Sequence, residues 1–351
     1  MPSLLQMNWD DRIFAVLVAT AAALLVMAVG LTLLALFLRW RNDRVAGIWA
    51  ALEARWEPIL LDVLVEERPP EELQAAVGPG DSLRFLAFLL RFVRRLTGSE
   101  VDVLRDLARP HLDWLAREWD RGSAERRARA VQTLGMLGFD GNELVFLAAL
   151  DDPSPLVSIV AAQALAEPDH PHHVVEVLQR LDRYQDWHPA FLSGMLADAG
   201  SGVAPLLRDY LADEEHDAWS RAVAAKALEQ LRDPEAADVA AAVLGTNADP
   251  DLLVACLRIV GAVGERRHRA VLLPLVDFPH FPVRSHALKA LRAVGDDADE
   301  SVFLRALDDP SPWVALEAAR GLRALGAGEI LEDLALGGDE RALTVRQVIA
   351  E

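Results

Sequence analysis

The chain has 351 residues, 52% hydrophobic and 25% charged, so most of its length has the apolar content of a folding chain rather than a disordered one. Its 54 acidic and 35 basic residues leave a formal charge of −19, which disfavours general binding to a phosphate backbone. A single cysteine, Cys256, excludes an intrachain disulfide and any multi-thiolate metal site.

Residues 1–12 read as a short extracytoplasmic tail. From Ile13 to Leu38 the chain runs 26 residues without a charge. As a helix this run spans about 39 Å, more than the hydrocarbon core of a bilayer, and is expected to cross with some tilt. Trp9 and Trp40 bracket it, where amphipathic rings favour the interface. A cleaved signal peptide would have a shorter core, basic residues in front and a small-residue cleavage site behind. Here Asp10 and Asp11 precede the run, and Arg39, Arg41 and Arg44 follow it. The basic flank predicts a single-pass inner-membrane protein, N-terminus outside, with the remainder in the cytoplasm.

Residues 39–122 read as a juxtamembrane helical or capping region. Ile48, Leu52, Ile59, Leu60 and Leu64 suggest an amphipathic helix that Pro58 bends or breaks. Glu66 to Gly80, rich in Pro and Gly, predicts a loop with one short helical turn. Asp81-Ser82 should cap a helix through Phe85, Leu89, Phe92 and Leu96. Another helix is expected after Ser99, and Pro110 should open one carrying Trp114 and Trp119. Such a region either caps the end of a downstream helical array or docks a membrane partner.

From residue 123 to 351 the sequence repeats itself. Asp151-Asp152-Pro153-Ser154-Pro155 recurs as Asp308-Asp309-Pro310-Ser311-Pro312. A small residue and a larger apolar one four places on recur as Ala130/Leu134, Ala161/Leu165, Leu192/Leu196, Ala224/Leu228, Cys256/Val260, Ala287/Leu291 and Ala318/Leu322. First members lie 31 or 32 residues apart, and a spacing of four puts both members on one helix face. Gly138, Gly200, Gly264, Gly295 and Gly326 follow these helices where a left-handed stop is usual. Each unit is a helix, a turn, a second helix and another turn. About seven units are expected, plus a partial eighth around Val345-Arg346. The fold class is all-α: an α-solenoid of short helical hairpins preceded by one transmembrane helix.

The run Pro282-Val283-Arg284-Ser285-His286-Ala287-Leu288-Lys289-Ala290-Leu291-Arg292-Ala293-Val294-Gly295 resembles the first helix of a short HEAT repeat, the bacterial variety also found in phycobilisome-lyase-like proteins. The resemblance covers about residues 124–351. Its Val-Arg arginine is replaced by Ser158 in one unit and Ala315 in another. It implies a surface that binds protein partners and implies no activity. Membrane-anchored bacterial HEAT proteins with a stretch like Trp56-Glu57-Pro58-Ile59-Leu60 resemble accessory partners of membrane glycosyltransferases.

Catalytic signatures are missing: there is no phosphate-cradling loop before either lysine, no HExxH and no GxSxG. Gly337-Gly338-Asp339-Glu340 falls in an inter-helix turn and reads as coincidence. Asp296-Asp297-Ala298-Asp299-Glu300 lacks the spacing of a calcium loop and suits a helix start instead. His170, His172 and His173 read as solvated loop residues, and Cys256 as a small buried apolar residue. One local rule is broken: Arg266, Arg267 and Arg269, with His268, start a helix where positive charge opposes the dipole. They are paired with acidic neighbours, or they contact an anion or an acidic partner. The expected function is a non-catalytic, membrane-anchored scaffold without cofactor, serving an integral-membrane protein. The alternative is a phycobilin-lyase-like or chaperone-type protein acting on a bound cofactor.

Overall fold

The computed structural model describes residues 9–351 except residues 97, 139, 169, 247 and 339; side chains are described from residue 17 onward, residue 340 excepted. Most of the expected N-terminal tail and the Trp9 side chain lie outside the described residues. Every regular element among the described residues is helical. Contacts divide the chain into two compact units, one ending at His111 and one spanning Leu112–Glu351.

The first unit is built on α1 (Trp9–Leu64), 56 residues long and so about 84 Å from end to end. It is followed by α2 (Pro70–Ala76) and α3 (Ser82–Val93), and α4 (Ser99–Glu118) runs across the boundary between the units. Pro58 neither bends α1 to a stop nor divides it; it lies inside the helix. Pro110 likewise does not open a helix but lies inside α4. An interior proline costs about 3 kcal/mol. Burial outweighs that cost, at about 1.5–3 kcal/mol for each large apolar side chain. Trp56 and Leu60 are fully buried on either side of Pro58. Leu104, Leu107, Ala108, Leu112 and Leu115 form one buried stripe through Pro110. The core centres on Trp56, whose ring lies 5.4 Å from Phe85 and 5.6 Å from Phe88. Its indole N–H donates to the Ala76 carbonyl at 3.3 Å. Asp81 does not cap α3 as expected, since its carboxylate accepts from Arg84 at 2.7 Å instead.

The second unit alternates longer first helices with shorter second ones. The first helices are α5 (Ala124–Leu137), α7 (Pro155–Leu165), α9 (Pro189–Asp198), α11 (Ala218–Leu231), α13 (Pro250–Val263), α15 (Phe281–Val294), α17 (Pro312–Ala324) and α19 (Glu340–Ala350). Between them lie α6 (Glu143–Leu150), α8 (Val174–Leu178), α10 (Ala204–Ala212), α12 (Ala236–Leu244), α14 (Arg269–Leu272), α16 (Glu300–Ala306) and α18 (Gly328–Ala335). This is an α-solenoid. First helices pack on one another in sequence from α9 to α19, and α5 packs on α7. Ala161, Ala224, Cys256, Ala287 and Ala318 are fully buried along this seam. Small side chains there let the helices approach closely, and each hairpin hides on its neighbour the apolar face it cannot cover itself.

The helix stops are of two kinds. Gly200 and Gly326 adopt φ of 80° and 77°, the left-handed conformation that favours glycine. Gly138, Gly264 and Gly295 do not, contrary to expectation. Gly264 and Gly295 are glycine because of crowding: a Cβ at Gly264 would meet the Val260 carbonyl, and one at Gly295 the Leu291 carbonyl and Asp299.

Replacing Ala287 with Phe overpacks the seam and should cost about 1–3 kcal/mol. The check is urea unfolding followed by the helical circular-dichroism signal, with the midpoint falling relative to the parent chain.

Candidate functional site

The two Asp-Asp-Pro-Ser-Pro segments are densely bonded turns of the second unit. Asp152 is buried and takes a two-pronged fork from Arg127 on α5, Nε and Nη2 each donating at 2.8 Å. Asp309 takes the same fork from Arg284 on α15, at 2.7 and 2.8 Å. Each aspartate also accepts from the backbone N–H of the serine two residues on, at 2.8 Å. Both arginines sit at the Val-Arg position, 25 residues before their partners. The first aspartate of each turn is held by the following unit: Asp151 by Arg180 and Arg183, Asp308 by Arg341. A turn is thereby clamped from both sides, with geometry that guanidinium supplies and ammonium does not.

Where serine replaces that arginine, a different device takes over. The Ser158 hydroxyl donates to the Leu150 carbonyl at 2.6 Å and lies 2.7 Å from the hydroxyl of the fully buried Tyr184. Arg183 then supplies the missing cation, donating to the Leu150 and Asp152 carbonyls at 2.6 and 2.8 Å.

The arginine-rich turn before α14 is answered by carboxylates on both sides. Arg266 pairs with Asp296, Arg267 with Asp238 at 3.1 Å, and Arg269 with the fully buried Asp299. His268 Nδ1 accepts from the Glu265 N–H at 2.9 Å, so its Nε2 carries the proton that faces Asp238 Oδ1 at 2.9 Å. Cations at this helix start are thus offset by acids from the units before and after. Arg266 and Arg267 remain 73% and 59% exposed, which leaves part of each guanidinium facing water.

Asp296 and Asp299 close a reciprocal helix cap. The Asp296 side chain accepts from Ala298 N–H, and Asp299 accepts from Asp296 N–H, both at 3.0 Å. His172 and His173 lie 4.1 Å apart in a short turn ahead of α8, with His170 about 6 Å from both. Among the described residues no group of three or more His, Cys, Asp or Glu side chains is placed to hold a metal ion. Cys256 is fully buried, and burial pushes its thiol up to about 12.

On α1, Arg39, Arg41 and Arg44 are exposed. Arg39 lies 3.9 Å from Asp43, and the Arg44 guanidinium stands 5.6 Å over the ring of Trp40, itself 56% exposed. Trp56 and Leu60 of the Trp-x-Pro-x-Leu stretch are taken up in the core of the first unit and present no surface.

The paired aspartates were not foreseen. Their signal in the sequence was the recurrence of the five-residue segment together with an arginine 25 residues earlier; no local pattern links the two.

A sequence model of the family described as HEAT repeats matches residues 241–323. No curated protein matches the chain. Among solved structures, an engineered protein is 17% identical, covering 83% of this chain and 97% of its own, with a TM-score of 0.40. A phycocyanin lyase complex from Nostoc is 18% identical, covering 68% of this chain and 86% of its own, with a TM-score of 0.32. A designed armadillo repeat protein is 14% identical, covering 61% and 99%, with a TM-score of 0.32.

The Arg127 hydrogen bonds hold the Asp152 carboxyl below its usual range, against the opposing effect of burial. A carboxylate depressed in the folded state contributes stability above its unfolded pKa, which is lost as pH falls through the folded value. Asp152→Asn should therefore lower the urea midpoint at pH 7, and the difference from the parent should shrink steadily below about pH 4. Cys256 should resist a thiol-specific reagent at pH 8 in the folded protein and react at once in denaturant, as absorbance of the released thiolate will report.

Proposed function

We propose that the chain is a membrane-tethered scaffold whose solenoid gathers protein partners at the cytoplasmic face of the inner membrane. The observation that carries this is the apolar run on α1. Leu24, Leu25, Val26, Met27, Leu33 and Phe37 are all more than half exposed, and no described part of the run is buried in the protein. The helix is long and apolar enough to cross a membrane. Such a surface in water would be an aggregation site; in a bilayer it is at home.

The direction of insertion is argued from charge. Arg39, Arg41 and Arg44 sit at the C-terminal edge of the run, favour the cytoplasmic side, and attract anionic lipid at about 1 kcal/mol each. A tether raises the effective concentration of the solenoid beside other membrane proteins, so an integral-membrane partner is the natural client. An accessory role beside a membrane glycosyltransferase is the specific form we put forward. The exposed faces of Arg266 and Arg267 are one place where an acidic partner surface would meet it.

Three measurements test this. The protein should stay with membranes in alkaline carbonate, and a reporter fused after Glu351 should be active only if it works in the cytoplasm. Crosslinking in intact membranes should capture an integral-membrane protein, and Arg266→Glu with Arg267→Glu should reduce that capture severalfold. Release by carbonate would sink the tether, activity of an export-dependent reporter the orientation, and capture of soluble proteins alone the proposed client.

A further inference from the structure

The chain has only two lysines, and both stand at one position of the repeat, two residues after the seam residue. Lys226 lies on α11 and Lys289 on α15, while Arg258 and Arg320 fill the same position on α13 and α17. Four consecutive first helices thus carry a cation in register. In α5 and α7 the position holds Gln132 and Gln163, in α9 Gly194. Arg292 and Arg323 add a cation three residues further on α15 and α17, on the same helix face. This column is basic in a chain of net charge −19.

Arg258, Lys289 and Arg320 of the column border two adjoining grooves, and Lys226 stands one first helix before them. One, of about 250 Å³, lies between α13 and α15 over Leu257, Gly261 and Ala290. The other, of about 500 Å³, lies between α15 and α17 and shares Lys289 and Arg292 with the first. The arginines of the column already hold carboxylates. Arg258 meets Glu229 at 2.8 Å, and Arg320 donates to both carboxylate oxygens of Glu351 at 3.0 and 2.6 Å. Glu351 itself stands two residues after Ile349, the same repeat position one unit on. An acid presented from the next repeat therefore docks on the column in the structure itself. Lys226 and Lys289, by contrast, meet no acceptor among the described residues.

Spacing specifies what would satisfy them. Packed helices stand about 8–10 Å apart. An extended peptide in the polyproline II form advances about 3.1 Å per residue with three residues per turn, so every third side chain returns to the same face about 9 Å on, level with the next helix. We propose that this column docks an extended acidic segment of a partner protein, with Asp or Glu at every third position across three or four repeats. The proposal rests on the scaffold reading and names the chemistry of its partner. The small apolar groove floor favours a peptide backbone lying close, whereas a flat bilayer surface could not enter.

The test uses the full chain in detergent micelles and a fluorescent peptide of four Glu-Ser-Ser triplets, read by anisotropy. The Glu peptide should bind at least tenfold tighter than its Gln-Ser-Ser counterpart and tighter than one with Glu at every fourth position. Binding should weaken with added salt. Lys226→Glu with Lys289→Glu should weaken it tenfold or more, and the milder Lys226→Gln with Lys289→Gln should weaken it in part, with helical content unchanged. Equal binding of the Gln peptide, or indifference to the lysine variants, would overturn the proposal. So would tighter binding of polyphosphate or of phosphatidylglycerol vesicles than of the peptide. A double-lysine variant that loses no peptide affinity yet still captures its membrane partner would discard the column and leave the scaffold standing.

Discussion

A helical hairpin of some thirty residues has two apolar faces and can bury only one against itself. The architecture of the second unit rests on that constraint. The uncovered face must lie on another hairpin, and close approach of the first helices is favoured by a small residue at one recurring position. Alanine fills it in five units and cysteine in a sixth, while the larger Leu192 fills it in a seventh; all but Ala130 are fully buried. The cysteine is chosen for volume: desolvation raises its pKa and removes it from thiolate chemistry.

Stacking brings inter-helix turns together, and there the arrangement becomes electrostatic. Packing alone would let adjacent hairpins slide, because apolar contact is not directional. The guanidinium–carboxylate forks at Asp152 and Asp309 are directional, and each is closed by a further backbone N–H. They join successive hairpins at fixed geometry. The same logic explains the cationic start of the turn before α14, where acids from two neighbouring units neutralise charges that would otherwise oppose the helix dipole. Against this background of arginines matched to acids, Lys226 and Lys289 stand apart, since neither meets an acid among the described residues.

The first unit is held by a different means. One aromatic cluster around Trp56, Phe85 and Phe88 joins α1 to α3, and its burial is strong enough to carry a helix through a proline. The upstream part of α1 has no such cover, and its apolar side chains face outward along the whole described run.

The hairpin repeat was legible in the sequence because a period of 31 or 32 residues and the four-residue pairing of seam residues are properties of local order. The helical character of the juxtamembrane region and the burial of Cys256 were legible for the same reason. Proline positions misled, since the local rule that a proline ends a helix yields to tertiary burial on both sides of Pro58 and Pro110. Two of the five stop glycines, Gly264 and Gly295, serve for want of a Cβ rather than for backbone freedom. The misfit of Arg266, Arg267 and Arg269 could be seen in one dimension, but their partners lie 29 or 30 residues away and only stacking brings them near. The basic column, too, was present in the register of the repeat. Which of its charges are neutralised from within and which remain open was decided by tertiary structure, because an ion pair depends on where side chains end and not on where they begin.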